Sequence, residues 1–391
     1  MGQILPHYLT LLELNMTNIP KTFCPAKWDE IFVNLGANYV YACCKSEVVS
    51  ITKKEDIATS LDQQKYNLLN GIQDPACNYC WKNENAGHSS YRHDYLKEFD
   101  VTQFDQYKNN QIKPKQVEVS LGNECNFQCT YCNPKFSSQW ESDVKRKPYK
   151  IFSDQHFYGI DEKNTNNVQD TIAWLGELNT VEKLQILGGE PLQNKNFTSV
   201  VNSITSDELG FATNLSFKNT KAIDKVLRLA DRYKKVIMTV SIDSTGKNAE
   251  FSRYGMDYAQ MLLNIQYLIT HAPDNFTINF ASLMTSITIR DFDNIVNLVD
   301  TCYQQNPNIT WHINYCWDPK IMTLNTLPEQ FKPKILEKIH SIQDRKYITG
   351  LDIIEGAIKT SKFNKTLYGQ LKHFLQEFSQ RKNIEIPVEM E

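Results

Sequence analysis

From residue 116 onward the chain alternates short β-rich runs with longer amphipathic stretches, and this alternation restricts its folding more than any other feature. The runs are QVEVSLG (116–122), KLQILGG (183–189), FATNLSF (211–217), KKVIMTVSID (234–243), FTINFASLM (276–284) and ITWHINYC (309–316). Between them SSQWESDVKRK, FTSVVNSITSDE, TKAIDKVLRLADRYK, MDYAQMLLNIQYLITHA and DFDNIVNLVDTCYQQ carry apolar residues at helical spacing. A strand that feeds a helix and returns to a parallel neighbour crosses over right-handedly. Six such units predict an α/β fold, a partial (β/α)6 TIM-like barrel over residues 111–320. Ligands in such folds sit at the carboxyl ends of the strands. Residues 1–110 differ, with short β-like pieces (EIFVNLG, NYVYACC), polar turns and paired cysteines. They read as a small cysteine-rich module whose poor core needs a metal staple. Residues 321–391 read as a C-terminal helical extension packed on the barrel, with EQFKPKILEKIHSIQDRK and LYGQLKHFLQEFSQRK amphipathic.

Composition narrows the function classes. Hydrophobic residues make up 41% and charged residues 22%, which fits a folded globular chain. A net charge of -3 gives no general drive towards nucleic acid or anionic lipid. No apolar run is long enough to span a bilayer, and the first residues show neither a basic leader nor a small-residue cleavage site. A cytoplasmic protein is expected. The ten cysteines then point to metal or redox chemistry rather than to disulfides.

Three of them, Cys125, Cys129 and Cys132, sit in LGNECNFQCTYCNPK directly after the first strand of the series. Thiolates suit zinc, copper(I) or iron-sulfur clusters, and structural zinc wants four ligands. Three thiolates with no fourth Cys or His nearby instead suit a 4Fe-4S cluster with one iron open. The C-x3-C-x2-C spacing with Tyr131 before the last cysteine resembles the signature of the radical S-adenosylmethionine (SAM) enzymes. That resemblance implies a SAM molecule chelated at the open iron. It extends to Gly188-Gly189-Glu190-Pro191, similar to the family's GGEP motif, whose backbone and glutamate hold the SAM ammonium group. It extends further to Ser241 and Asp243, where the family contacts the ribose, to Arg253, which resembles the residue meeting the SAM carboxylate, and to Tyr131 beside the adenine. Read without the resemblance, GGEP is a β-to-α turn, SIDS a strand end and Arg253 a surface charge.

Cys77 and Cys80 form a second pair that Cys24 with Cys43 or Cys44 completes to a four-thiolate site. Cys24, Trp28, Gly36, Cys43-Cys44, then C-x2-C followed by Glu84, Gly87, Ser90 and Arg92 resemble the auxiliary-cluster module called twitch, a short relative of SPASM, placed N-terminal to the core. This implies an auxiliary 4Fe-4S cluster. Cys43 is preferred because it holds the family's first position and neighbours in a strand face opposite ways, which leaves Cys44 as a buried thiol. Structural zinc is the alternative. Glu84, Ser90 and Arg92 either face the site or pair locally. Cys302, Cys316 and His312 read as core residues, and nothing separates Tyr254, Asn279 and Tyr315 from structural ones.

The resemblance implies an enzyme that reductively cleaves SAM to a 5'-deoxyadenosyl radical and takes hydrogen from a substrate. It also implies a one-electron donor such as a flavodoxin or ferredoxin. Peptide or protein modification is the expected use. A small sugar- or nucleoside-like substrate is the alternative, and a non-catalytic metal-stapled binding protein is the reading from another class. No catalytic acid or base is legible.

Overall fold

A computed structural model describes residues 19–50, 54–151, 167–178 and 180–388. The beginning of the cysteine-rich module, and most of the polar stretch before the TIAWLGEL helix, lie outside the described residues. The chain is mixed α/β with a parallel sheet and C-terminal helices, in keeping with the expected partial barrel. Its strands are β1 Glu30–Asn34, β2 Tyr39–Tyr41, β3 Val49–Ser50, β4 Gln116–Ser120, β5 Gln128–Cys129, β6 Thr180–Leu187, β7 Thr205–Thr213, β8 Lys235–Ser241, β9 Arg253–Tyr254, β10 Phe276–Met284, β11 Ile309–Tyr315 and β12 Ile348–Thr349. Two compact units divide them.

One unit comprises the described residues of Met1–Gly122, Glu162–Ile186 and Lys195–Asp207. In it β1 runs parallel to β4 and antiparallel to β2. A side chain at Gly36 would meet the Gly122 backbone at 2.8 Å, so glycine there lets the ends of β1 and β4 touch. The expected poor core is instead a closed aromatic cluster. Phe23, Trp28 and Tyr107 are buried edge to face, with Phe99 and Phe104 against them. The helix Lys54–Leu69 was not legible, although Ile57, Leu61 and Leu68 bury one of its faces.

The second unit comprises the described residues of Asn123–Asp161, Leu187–Asn194 and Glu208–Glu391. Residues 208–213 of β7, then β8, β10, β11 and β12, pair in parallel in that order. Alternation gives the sheet two faces. Phe276, Ile278 and Phe280 of β10 and Ile309, Trp311 and Ile313 of β11 are buried. The other face is polar and open. Asn279 donates to Thr239 Oγ1 at 3.3 Å and accepts from Thr310 Oγ1 at 2.9 Å. A closed eight-stranded barrel fills that face with branched apolar side chains. Here it carries hydroxyls and amides.

β7 begins earlier than FATNLSF predicts and ends at Thr213, because Leu209 and Phe211 pair with Val236 and Met238 and Leu215 turns out at φ 55°. At the C-terminus the helices Lys332–Ile342, Leu351–Thr360 and Lys365–Lys382 form, the middle one unforeseen. Phe374 and Phe378 of the last helix pack on Trp140, Tyr149 and Phe251. Among the described residues no helix is long and apolar enough to cross a membrane.

Candidate functional site

The three-cysteine loop is suspended from its own backbone. Cys129 lies in β5, which pairs antiparallel with β9 so that Cys129 faces Arg253. Thr130 N–H donates to Ser252 O at 2.8 Å, and the Trp140 indole to Cys129 O at 2.8 Å. Ser138 Oγ donates to Cys125 O at 3.1 Å, and Asn123 bonds Pro134 O and Glu141. The helix Ser138–Arg146, capped by Ser137, thus clasps both ends of the loop. Cys129 is buried, Cys125 and Cys132 are half-buried, and all are free thiols. Burial pushes the Cys125 thiol up to about 11 and raises Cys129 and Cys132 as well, against the pull of Arg253. These thiols need a cation to ionise. All three line one cavity of about 330 Å³.

The turn after β6 docks on this loop. Gly188 holds φ 143°. A side chain at Gly189 would come within 2.5 Å of Glu124 O, and Glu190 N–H donates to that same carbonyl at 2.7 Å. Glu190 is itself buried and absent from the cavity lining. Its Oε1 accepts from Thr213 Oγ1 at 2.9 Å and its Oε2 from Asn214 N–H at 2.6 Å, tying the turn to the end of β7. Burial raises the Glu190 carboxyl, and these bonds work against the rise. Gly188 and Gly189 do line the cavity, beside Thr213 and Asn214.

Tyr131, Asp243 and Arg253 form one buried knot. Tyr131 Oη donates to Asp243 Oδ2 at 2.5 Å, and Arg253 Nη1 donates to Tyr131 Oη and, at 3.0 Å, to Asp243 Oδ2. Asp243, 1% exposed, also takes Leu283 N–H on Oδ1 at 2.8 Å. Both its oxygens are therefore engaged within the protein. Arg253, far from being a surface charge, is buried over the Phe127 ring with Nε unpartnered. Burial alone would lower it, but Tyr131, Cys129 and Asp243 outweigh that and hold it charged. Ser241 lines the cavity, and its hydroxyl makes no hydrogen bond among the described residues.

Some neighbours were missed by sequence. His312 and Asn314 line the cavity from the open face of β11, so His312 is exposed and not the core residue expected; its Nδ1 lies 3.0 Å from Thr349 Oγ1. The alternation of ITWHINY, with Trp311 and Ile313 buried, was the available signal. Tyr254 belongs to β9 and packs on Phe378, and Asn279 belongs to the polar face. Cys302 and Cys316 are buried.

In the first unit Cys24, Cys43 and Cys80 are buried and Cys77 half-buried. Cys24 and Cys43 share a cluster with Trp81, against which Cys77 packs. Burial pushes Cys43 up to about 12 and also raises Cys24 and Cys77. Cys44 is exposed, contrary to the expected buried thiol. The strand argument for it does not apply, since β2 ends at Tyr41 and Cys43 sits in a turn at φ 83°. Arg92, Glu84 and Ser90 pair with each other. Arg92 makes a forked ion pair with Glu84, at 2.9 and 2.6 Å, donates to Lys21 O and Phe23 O, and lies over the Trp81 ring. Ser90 donates to Glu84 at 2.5 Å. This clamp ties the chain just before Cys24 to the helix that carries Cys80.

Among the described residues no three His, Cys, Asp or Glu side chains come close enough to hold a single metal ion. A four-iron cube is wider and takes its thiolates from further apart. The donor set of each group, three or four soft thiols with buried cationic neighbours, fits such a cluster.

Residues 119–299 match the model of the Radical SAM superfamily. The chain is 26% identical over 187 residues to the GTP 3',8-cyclase of Mannheimia succiniciproducens, covering 47% of this chain and 49% of that protein. It is 25% identical over 175 residues to the GTP 3',8-cyclase of Yersinia pestis, covering 44% and 48%. It thus spans about half the length of these curated relatives. Similar solved structures include Streptococcus suis SuiB bound to precursor peptide SuiA, at 12% identity and TM-score 0.37, covering 81% of this chain and 70% of that one. SuiB bound to S-adenosylmethionine matches at 13% identity and TM-score 0.37, covering 84% and 71%.

Proposed function

We propose that the protein is a radical SAM enzyme, and the observation that carries this is one cavity lined by Cys125, Cys129, Cys132, Gly188, Gly189, Ser241 and Arg253. In this reading the three thiolates hold a 4Fe-4S cluster with one open iron, and SAM occupies the cavity beside it. The cluster with SAM supplies, when bound, one-electron reductive cleavage and removal of a hydrogen atom from substrate. The glycines let backbone approach the ligand closely. Arg253 offers its unpartnered Nε–H to a carboxylate and Ser241 its hydroxyl to the ribose. Tyr131 and Asp243 position Arg253. Glu190 keeps the 188–190 turn and β7 together, so that the backbone facing the ligand is fixed beforehand.

Peptide or protein modification is the use we favour. The cavity wall supplies neutral groups, Thr213, Asn214, Ser282 and Asn314, with His312. Recognition of a triphosphate calls for several basic side chains, and Arg253, the sole Lys or Arg of this lining among the described residues, is already paired with Asp243. That favours an uncharged polar substrate, a peptide or a sugar, over a nucleotide. Residues 1–110 form the auxiliary module in this proposal, with a second 4Fe-4S cluster on Cys24, Cys43, Cys77 and Cys80; these thiols are spaced too widely for the single ion that the zinc alternative needs. A flavodoxin or ferredoxin delivers the electron, and free thiols throughout suit the cytoplasm.

The test is anaerobic. Protein reconstituted with iron and sulfide is given dithionite and SAM, and methionine and 5'-deoxyadenosine are expected. Replacing Cys125, Cys129 and Cys132 by Ala abolishes the products and lowers bound iron from about eight to about four per chain. No 5'-deoxyadenosine from protein with full iron would sink the enzyme reading.

A further inference from the structure

Lys27 occupies the helix Ala26–Asp29, which follows Cys24 and Pro25 directly, and it is 2% exposed. Its Nζ donates to Ser46 Oγ at 2.6 Å and to Gln64 Oε1 at 2.8 Å. Both acceptors are uncharged. Ser46 is itself tied to the thiol site, since its N–H donates to Cys43 O at 3.0 Å. No carboxylate forms an ion pair with Lys27 among the described residues; nearby Asp29 is taken by Lys115 and Tyr107. A buried ammonium without an anion costs several kcal/mol. These neutral acceptors leave its charge uncompensated.

The groups able to compensate it are the thiols around it. Lys27 N–H donates to Cys24 O at 3.3 Å, and Ser46, which accepts from Lys27 Nζ, donates its own N–H to Cys43 O. With four thiolates on a 4Fe-4S cluster the site is anionic in every oxidation state. The charge that the fold leaves unbalanced at Lys27 then has its partner.

We propose that Lys27 is the built-in counter-ion of the four-cysteine site, a positioning residue that raises the reduction potential of the cluster held there. The inference rests on the auxiliary-cluster reading given above. A fixed positive charge in a dry site favours the more negative, reduced form, because cluster potentials follow net charge, hydrogen bonding to sulfur and solvent exposure. The consequence is an auxiliary cluster readily reduced, suited to receiving an electron.

The test uses the full chain with Cys125, Cys129 and Cys132 replaced by Ala, so that only the four-cysteine site contributes a signal. Iron and sulfide are counted, and the midpoint is read by redox titration followed by electron paramagnetic resonance. In Lys27→Met the ratio of reduced to oxidised cluster at the parent's midpoint falls about tenfold or more, a shift of about 59 mV for one electron. In Lys27→Arg the midpoint returns towards the parent's. An unshifted midpoint in Lys27→Met with full iron overturns the counter-ion proposal and leaves the auxiliary cluster standing. A parent that holds zinc or no iron overturns the auxiliary cluster itself. Where Lys27→Met holds no iron, Lys27→Arg decides: retained iron at the parent's midpoint supports the role of charge. Loss of iron there too shows that the contacts to Ser46 and Gln64 matter instead, which overturns the proposal.

Discussion

The two cysteine groups are built from the same residue type and supported in opposite ways. The 125–132 loop hangs from backbone bonds, to β9, to the Trp140 indole and to the turn at Gly189, and its thiols open on a cavity. The earlier four are closed in by side chains. A forked Arg92–Glu84 pair draws their segments together, and the buried Lys27 bonds Ser46, whose N–H donates to Cys43 O. An open site must hold its thiols still while leaving one side free, which backbone suspension allows. A closed site can be gripped from all around. Ligand count alone does not distinguish the two; the supporting bonds do.

This contrast can be broken from either side. The largest effect is expected at Trp140, fully buried under the loop: Trp140→Ala should cost about 3–5 kcal/mol in urea unfolding. The sharper readout is iron, since the variant should lose the iron bound at 125–132 and keep that of the first four cysteines. Loss of both would mean that the supports are not separate. Arg92→Ala is the mirror experiment. Removing one partner of a buried pair costs about 3–5 kcal/mol, and here the four-cysteine site should empty while dithionite-driven SAM cleavage persists.

A smaller effect belongs to Asp143, which holds the loop's helix to Gln128 at 2.8 Å, Tyr149 at 3.0 Å and Lys382 at 3.2 Å. Burial raises its carboxyl, but these partners outweigh burial and bring it below the ordinary range. A depressed folded pKa means stabilisation that is present above about pH 4 and lost as pH falls through the folded value. Asp143→Asn should therefore cost about 1.5–3 kcal/mol at pH 7 and progressively less in acid, measured by urea midpoints across pH. A cost that does not vary with pH would count against the assignment. Least of all is expected from Cys44→Ser, which should leave iron and sulfide unchanged because that thiol faces solvent, whereas Cys43→Ser should empty the site.

Reading the chain in one dimension recovered the regular parts. The six strands were legible because Val, Ile and Phe repeat in short runs between turn residues, and both cysteine groups were plain from spacing. The β5–β9 ladder was not, since two residues at each end carry no pattern of their own and meet across more than 120 positions. That ladder turned Arg253 from a candidate surface charge into the buried partner of Tyr131 and Asp243. Lys27 was hidden for a related reason. A lysine beside a tryptophan and an aspartate reads as surface, and only packing against Gln64 and Ser46 removes it from water. His312 was misread although strand alternation placed it correctly.

The last helix carries a consequence in time. Arg381 reaches back to Lys147 O across 234 positions, while Phe374 and Phe378 cushion Trp140 beneath the cysteine loop. A chain emerging from the ribosome folds its earlier parts first. The first four cysteines and their Arg92 clamp precede the cushion under Cys129, Phe374 and Phe378, by a long stretch of chain. The two sites therefore mature in order. A loop whose support lies so far along the chain is completed only after the earlier cysteines are already enclosed.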